Sequence, residues 1–188
     1  MSQCAQTTKT NINQMKKIGL FFGYTGGNTE DVANIIANNF VKKDIDVLDL
    51  SKVSLLKLEE YDQYIFGIST IGADNWSDAS TKNLWDNFFM LIQKVELKGK
   101  RAAIFGLGNQ VLYPDHFCDD MGPLSEKLKE QGVKIIGHWP GDKYDFTSSR
   151  AFVKNQFVGL PIDHDNYPED TNELIAEWTA LLKTQFKK

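Results

Sequence analysis

Three segments of this 188-residue sequence concentrate glycine, hydroxyl and aromatic residues of the types that hold a phosphorylated ligand. The first, residues 23–29, reads Gly-Tyr-Thr-Gly-Gly-Asn-Thr and carries no Lys or Arg. Glycine lets a backbone approach a ligand closely, and the free N–H groups that open a following helix favour an anion. Thr25, Asn28, Thr29 and the loop amides are therefore candidates to hold a phosphate without a basic residue. A plain strand-to-helix turn capped by Asn28 or Thr29 accounts for the same residues. The Gly-Lys-Ser/Thr ending of a Walker loop is missing. In the third segment, residues 106–118, Gly106-Leu107-Gly108 is followed by Val111, where a dinucleotide fingerprint needs its third glycine.

Aromatic rings are the second chemical resource. Tyr113 in the third segment offers a π surface with a hydroxyl at its wet edge, and Trp76 in the second, residues 69–80, offers another. His116 and Cys118 follow Tyr113 closely. A redox role for Cys118 needs an exposed, low-pKa thiolate and a resolving partner, and the other cysteine, Cys4, lies in a polar leader. Two such cysteines make neither a disulfide framework nor a metal cluster, so a reducing, cytoplasmic location is expected. With 21 basic against 25 acidic residues and a net charge of -4, the chain lacks the basic field that nucleic acid requires. No apolar run approaches the roughly 18–20 residues of a membrane span, so no membrane partner is expected.

The elements that must position these segments follow from hydrophobic periodicity. Residues 1–16 are polar and aperiodic and read as a disordered extension; residues 17–188 read as a single domain. Residues 18–22 form a nearly continuous apolar run, as in a strand buried on both faces. Val32, Ile35, Ile36 and Phe40 then recur at helical spacing, with Glu30 and Asp31 in the first turn, where the helix dipole favours acids. Further strands are predicted at 46–50, 64–68, 102–105 and 133–137, with a late apolar run at 157–160. Helices are predicted at 81–92, 124–131 and 172–186, the last with Leu174, Trp178, Leu181 and Leu182 on one face. This alternation argues for a doubly wound parallel α/β sheet. Ligands in such sheets bind at the carboxyl ends of the strands, where the three segments fall. Residues 141–156 interrupt the rhythm as an insertion, and the histidines His138 and His164 and the tryptophans Trp85, Trp139 and Trp178 read as structural.

The combined pattern resembles a flavodoxin of the long-chain type over nearly everything from Lys16 to Phe186. The resemblance rests on Lys17-Ile18-Gly19-Leu20-Phe21-Phe22-Gly23, Phe105-Gly106-Leu107-Gly108-Asn109-Gln110-Val111, Tyr144-Asp145-Phe146, and Phe157-Val158-Gly159-Leu160 followed by Ile162-Asp163. It implies a five-stranded parallel sheet of order 2-1-3-4-5 in a three-layer α/β/α fold, with FMN as cofactor at the switch point between strands one and three. The phosphate would lie on Tyr24, Thr25, Gly26, Gly27, Asn28 and Thr29. Tyr24 and Gly26 replace hydroxyl residues usual in the family. Ser69, Thr70, Ile71 and Gly72 stand where Pro-Thr-Trp-Asn is frequent, so an aliphatic side chain replaces the ring that covers one flavin face. Trp76, in an enlarged segment, is a candidate replacement. Gly72 would ease the peptide turn that brings a carbonyl to flavin N5. Leu107, Gly108, Asn109, Tyr113, His116 and Cys118 complete the implied site, with Tyr113 on the second flavin face and Asn109 in place of a common Asp.

The implied function is a low-potential electron carrier, not an enzyme, and a monomer. It would take electrons from an NAD(P)H-dependent flavodoxin reductase or a similar donor and pass them to an acceptor redox enzyme. Asp74, Asp78, Asp115, Asp119 and Asp120 would form an acidic rim steering basic partners. An FMN-dependent NAD(P)H:quinone-type oxidoreductase is the alternative on the same fold. Against it, no Lys or Arg cluster near the three loops is available for a dinucleotide phosphate. A phosphoacceptor receiver domain is excluded, since Gly23-Tyr24 and Ser69-Thr70 stand where its acids belong. A flavin-free binding module stays open at this point.

Overall fold

The computed structural model describes residues 17–23, 27–70 and 79–186. Strand β1 (Ile18–Phe22) is buried at every position and leads through the first segment into α1 (Asn28–Asn38). Then follow β2 (Ile45–Asp49), the short α2 (Leu55–Glu59), β3 (Gln63–Ser69), α3 (Ala79–Ile92), β4 (Arg101–Leu107), α4 (Met121–Glu130) and β5 (Lys134–Ile136). The main sheet is parallel in the order β2-β1-β3-β4-β5, the order that the resemblance implies. Helices α1 and α5 (Pro168–Phe186) pack together on one face.

Aromatic packing knits β1 and β3 to α3. Phe21 stacks at 5.6 Å on Phe66, which meets Phe88 of α3 at 5.2 Å. Every second residue of a strand faces the same side, so Tyr64 and Phe66 join this layer together, their rings 5.7 Å apart. Side by side with Phe105 in the register, Gly67 leaves room for that ring, which a Cβ there would overlap.

The fifth sheet position departs from expectation. β5 pairs only with the first part of β4, Arg101 to Ala103, while the later part, Phe105 to Leu107, pairs with β9 (Leu160–Ile162). Between them the chain leaves the sheet and builds a small antiparallel sheet from β6 (Trp139–Pro140), β7 (Phe152–Val153) and β8 (Gln156–Phe157), in the order β6-β8-β7. The apolar run at 157–160 is therefore divided: Phe157 closes β8 and Leu160 opens β9. Gly159 sits between them against the carbonyl of Ile104, a closeness that a side chain would prevent. The insertion is thus a folded unit set into the edge of the sheet. A two-residue turn, Lys154-Asn155, joins β7 to β8 with both residues at positive φ.

Helix starts also shift. α4 begins at Met121 and α5 at Pro168, earlier than the apolar periodicity predicts, because Pro123 and Pro168 sit in first turns, where a missing N–H costs nothing. Among the described residues no helix is long and apolar enough to cross a membrane.

Candidate functional site at the carboxyl edge of the sheet

The ends of β3, β4 and β9 stand level, since Ser69 pairs with Leu107 and Leu107 with Ile162, and β1 ends at Phe22 beside Gly67, short of them on the same edge. The three segments therefore emerge at one edge. β1 lies between β2 and β3, and this is the place where consecutive connections of a doubly wound sheet depart to opposite faces and leave a crevice.

On one side of the crevice is the N-terminus of α1. Its cap is Gly27 in extended backbone, with no side chain bonded to the helix end; Asn28 and Thr29, the caps of the alternative plain-turn reading, are instead the first helical residues. Glu30 and Asp31 donate their N–H groups to the Gly27 carbonyl, whereas among the described residues no acceptor meets the N–H groups of Asn28 and Thr29. A Cβ on Gly27 would meet nothing within 4 Å. An uncapped helix start beside open space fits an anion. The Asn28 side chain points elsewhere, its Nδ2 donating to Asp165 Oδ1 at 2.9 Å, and Thr29 is buried at 7% exposure. Tyr24, Thr25, Gly26, Ile71, Gly72 and Trp76, with Asp74 and Asp78, lie outside the described residues.

On the other side is the loop after β4. Thr70 N–H donates to the Leu107 carbonyl at 2.9 Å, and Gly108 N–H to the Ile162 carbonyl at 3.0 Å, so Ser69-Thr70 and Leu107-Gly108 continue the sheet beyond its last rungs. Asn109 Oδ1 accepts the N–H groups of Val111 at 3.1 Å and Leu112 at 2.8 Å and shapes the turn that presents Tyr113. Tyr113 is half-buried, with its N–H on the Asn109 carbonyl at 3.0 Å. Thr70 Oγ1 also accepts the N–H of Asp120, tying the second segment to the start of α4 at 3.1 Å.

The remaining predicted residues sort differently. Cys118 is fully buried at positive φ, its thiol donating to the Gly106 carbonyl at 3.3 Å, and burial pushes the thiol well up from its ordinary pKa. It supports the loop from within, and a Cβ on Gly108 would lie 2.7 Å from its nitrogen. His116 is exposed, with Nδ1 3.0 Å from Asp119 Oδ2. Asp119, expected in the acidic rim, is buried at 4% exposure. Asp120 is half-buried, and desolvation with Asp119 beside it raises its carboxyl to about 6 against the pull of Arg150.

Sequence reasoning quoted Asp163 and Gln110 within motifs but assigned them no role at the site. Buried Asp163 accepts Gln110 N–H at 3.0 Å and both polar groups of Asn166, while Gln110 Oε1 accepts Asp145 N–H at 2.8 Å. Both stand inside the motifs that carry the resemblance, but nothing local shows that residues 53 positions apart would bond to each other. A groove of about 300 Å³ is bordered by Gln110, Tyr144, Ile162, Asp163 and Leu174 beside the loop. Among the described residues no group of three or more His, Cys, Asp or Glu is arranged to hold a metal ion.

An open doubly wound sheet whose uncapped helix start and aromatic loop both emerge at its carboxyl edge is an α/β fold with one crevice at a switch point. The family model described as Flavodoxin matches residues 20–178, and the chain belongs to the flavodoxin family. It is 42% identical to a flavodoxin of a Picosynechococcus species over 173 residues, covering 92% of this chain and 99% of that protein. It is 38% identical to flavodoxin 1 of Escherichia coli K12 over 168 residues, covering 89% and 93%. Among solved structures, a Fusobacterium nucleatum flavodoxin bound to flavin mononucleotide matches with a TM-score of 0.81 at 23% identity, over 92% of this chain and 99% of that one, a likeness of fold.

Proposed function

We propose that this protein is an FMN-binding electron carrier that moves single electrons from a reductase to acceptor enzymes, in the cytoplasm and as a monomer, without catalysing a reaction of its own. The observation that carries the reading is the presence, at one edge of the sheet, of both the uncapped α1 start and the loop that presents Tyr113. The residues fit the cofactor. The N–H groups of Asn28 and Thr29 would hold the phosphate with help from residues 24–27, and the positive end of the helix would offset its charge. Tyr113 would cover one face of the ring and exclude water from it. Residues 69–72 and 107–109 would line the polar edge, where backbone N–H and C=O groups tune the flavin through hydrogen bonds. Bound FMN supplies the one-electron chemistry, and the protein supplies orientation and electrostatics. One domain, residues 17–188, would hold the whole site.

Family membership supports this assignment, as do the FMN-bound relatives of the same fold. The test is the visible spectrum of purified protein with added FMN during stepwise reduction. A yellow complex that passes through a long-lived half-reduced form, absorbing beyond the oxidised band, is expected. A colourless protein that fails to take up FMN overturns the reading, and rapid NAD(P)H oxidation without a reductase argues against a carrier.

A further inference from the structure

We propose that Asp119 is a positioning residue for the flavin site: its buried carboxylate clasps the Tyr113 loop to the insertion between β5 and β9 and thereby sets where Tyr113 stands. This rests on the reading of the crevice as an FMN site. Asp119 Oδ1 accepts the N–H of Arg150 in the insertion at 2.7 Å, and Oδ2 lies 3.0 Å from Nδ1 of His116, three residues after Tyr113. One carboxylate thus spans the two segments.

Neighbouring contacts make the clasp effective. The Pro114 carbonyl, directly after Tyr113, accepts the N–H groups of Thr147 at 2.9 Å and Ser148 at 3.0 Å. The Tyr113 carbonyl accepts His116 N–H at 3.0 Å, so movement of His116 is passed to Tyr113 within one turn. Phe117 is fully buried among insertion rings, its centroid 5.6 Å from Tyr144, 5.9 Å from Phe146 and 6.0 Å from Phe157. Tyr113 itself has no ring contact with this cluster among the described residues, so its placement comes through the backbone that the insertion holds. A carboxylate buried at 4% exposure is costly unless its hydrogen bonds are made, so the geometry around it is tightly specified.

The experiment measures FMN and riboflavin affinity, bound-flavin fluorescence and the first midpoint potential for Asp119→Ala and Asp119→Asn, each also in a Tyr113→Ala background. Asp119→Ala is expected to weaken FMN and riboflavin alike, about tenfold, because the ring face rather than the phosphate is disturbed. It should also raise bound-flavin fluorescence, by loosening Tyr113, and shift the potential. Asp119→Asn keeps an acceptor for Arg150 N–H and should recover most of the affinity. In the Tyr113→Ala background neither substitution should cost anything further, the non-additivity expected of residues acting through one another. Losses that add fully in that background, or a folded Asp119→Ala protein with unchanged affinities and potential, overturn the proposal. If Asp119→Ala does not fold, His116→Ala, which removes the loop end of the clasp at an exposed residue, carries the same comparison with and without Tyr113. Failure of the wild-type chain to bind either flavin is a separate outcome that defeats the FMN reading itself.

Discussion

At Asn109 a single charge separates this protein from an Asp-bearing variant. Because Asn109 Oδ1 accepts the N–H groups of Val111 and Leu112, Asp at this position keeps the same turn and adds only a negative charge. Asn109→Asp is expected to make the second reduction potential more negative, by roughly 1 kcal/mol or about 40 mV for one electron at a partly exposed site. Equal potentials in a redox titration would show that the charge is not felt. At Thr29, in the first turn of α1, the expectation separates the two ends of the ligand: Thr29→Ala should weaken FMN about tenfold and riboflavin hardly at all, as measured by fluorescence titration. Equal losses for both ligands would place the phosphate elsewhere. The residue types for both positions were legible in the sequence. The engagement of Asn28 with Asp165 was not, since 137 positions separate the two and only the fold brings them together.

At the scale of elements, α4 begins on a carboxyl pair whose members have different surroundings. Burial and the neighbouring Asp119 raise Asp120 to about 6, above its unfolded value near 3.8. The folded state therefore holds this proton more tightly than the unfolded chain does, so stability falls as pH rises from about 4 to about 6 and stays lowered above that range. Asp120→Asn should stabilise the protein at pH 7, by at most about 3 kcal/mol, and change little at pH 4, a contrast that urea unfolding at the two pH values reads directly. The insertion between β5 and β9 has its own aromatic core, in which Phe157 meets Phe146 and Phe152 at 5.0 Å each. Phe157→Ala should cost about 3–5 kcal/mol in urea unfolding. Strands β1 to β5 were readable because period and composition are local signals. The division of the 157–160 run between two sheets was not, because pairing partners are set by tertiary contact.

For the whole molecule, a net charge of -4 gives weak steering. Electron transfer with a basic partner protein should slow by about tenfold or less between low and high ionic strength in stopped-flow measurements. A steeper fall would mean that the acids concentrate on the partner-facing surface. Asp119 does not stand on the rim where a partner would meet it, because it is buried and bonded to Arg150 N–H of the insertion. The amino-acid sequence by itself determined the order of strands and helices, the gathering of three glycine-bearing loops at one sheet edge, and the resemblance to flavodoxins, because apolar period, turn chemistry and motif spacing are written in neighbouring residues. Only the tertiary structure decided that Gly27 rather than Asn28 or Thr29 caps α1, that Cys118 and Asp119 face inward, and that β9 completes the edge β5 leaves open. Burial and hydrogen-bond partnership depend on which distant segment packs over a residue, and no local pattern encodes that.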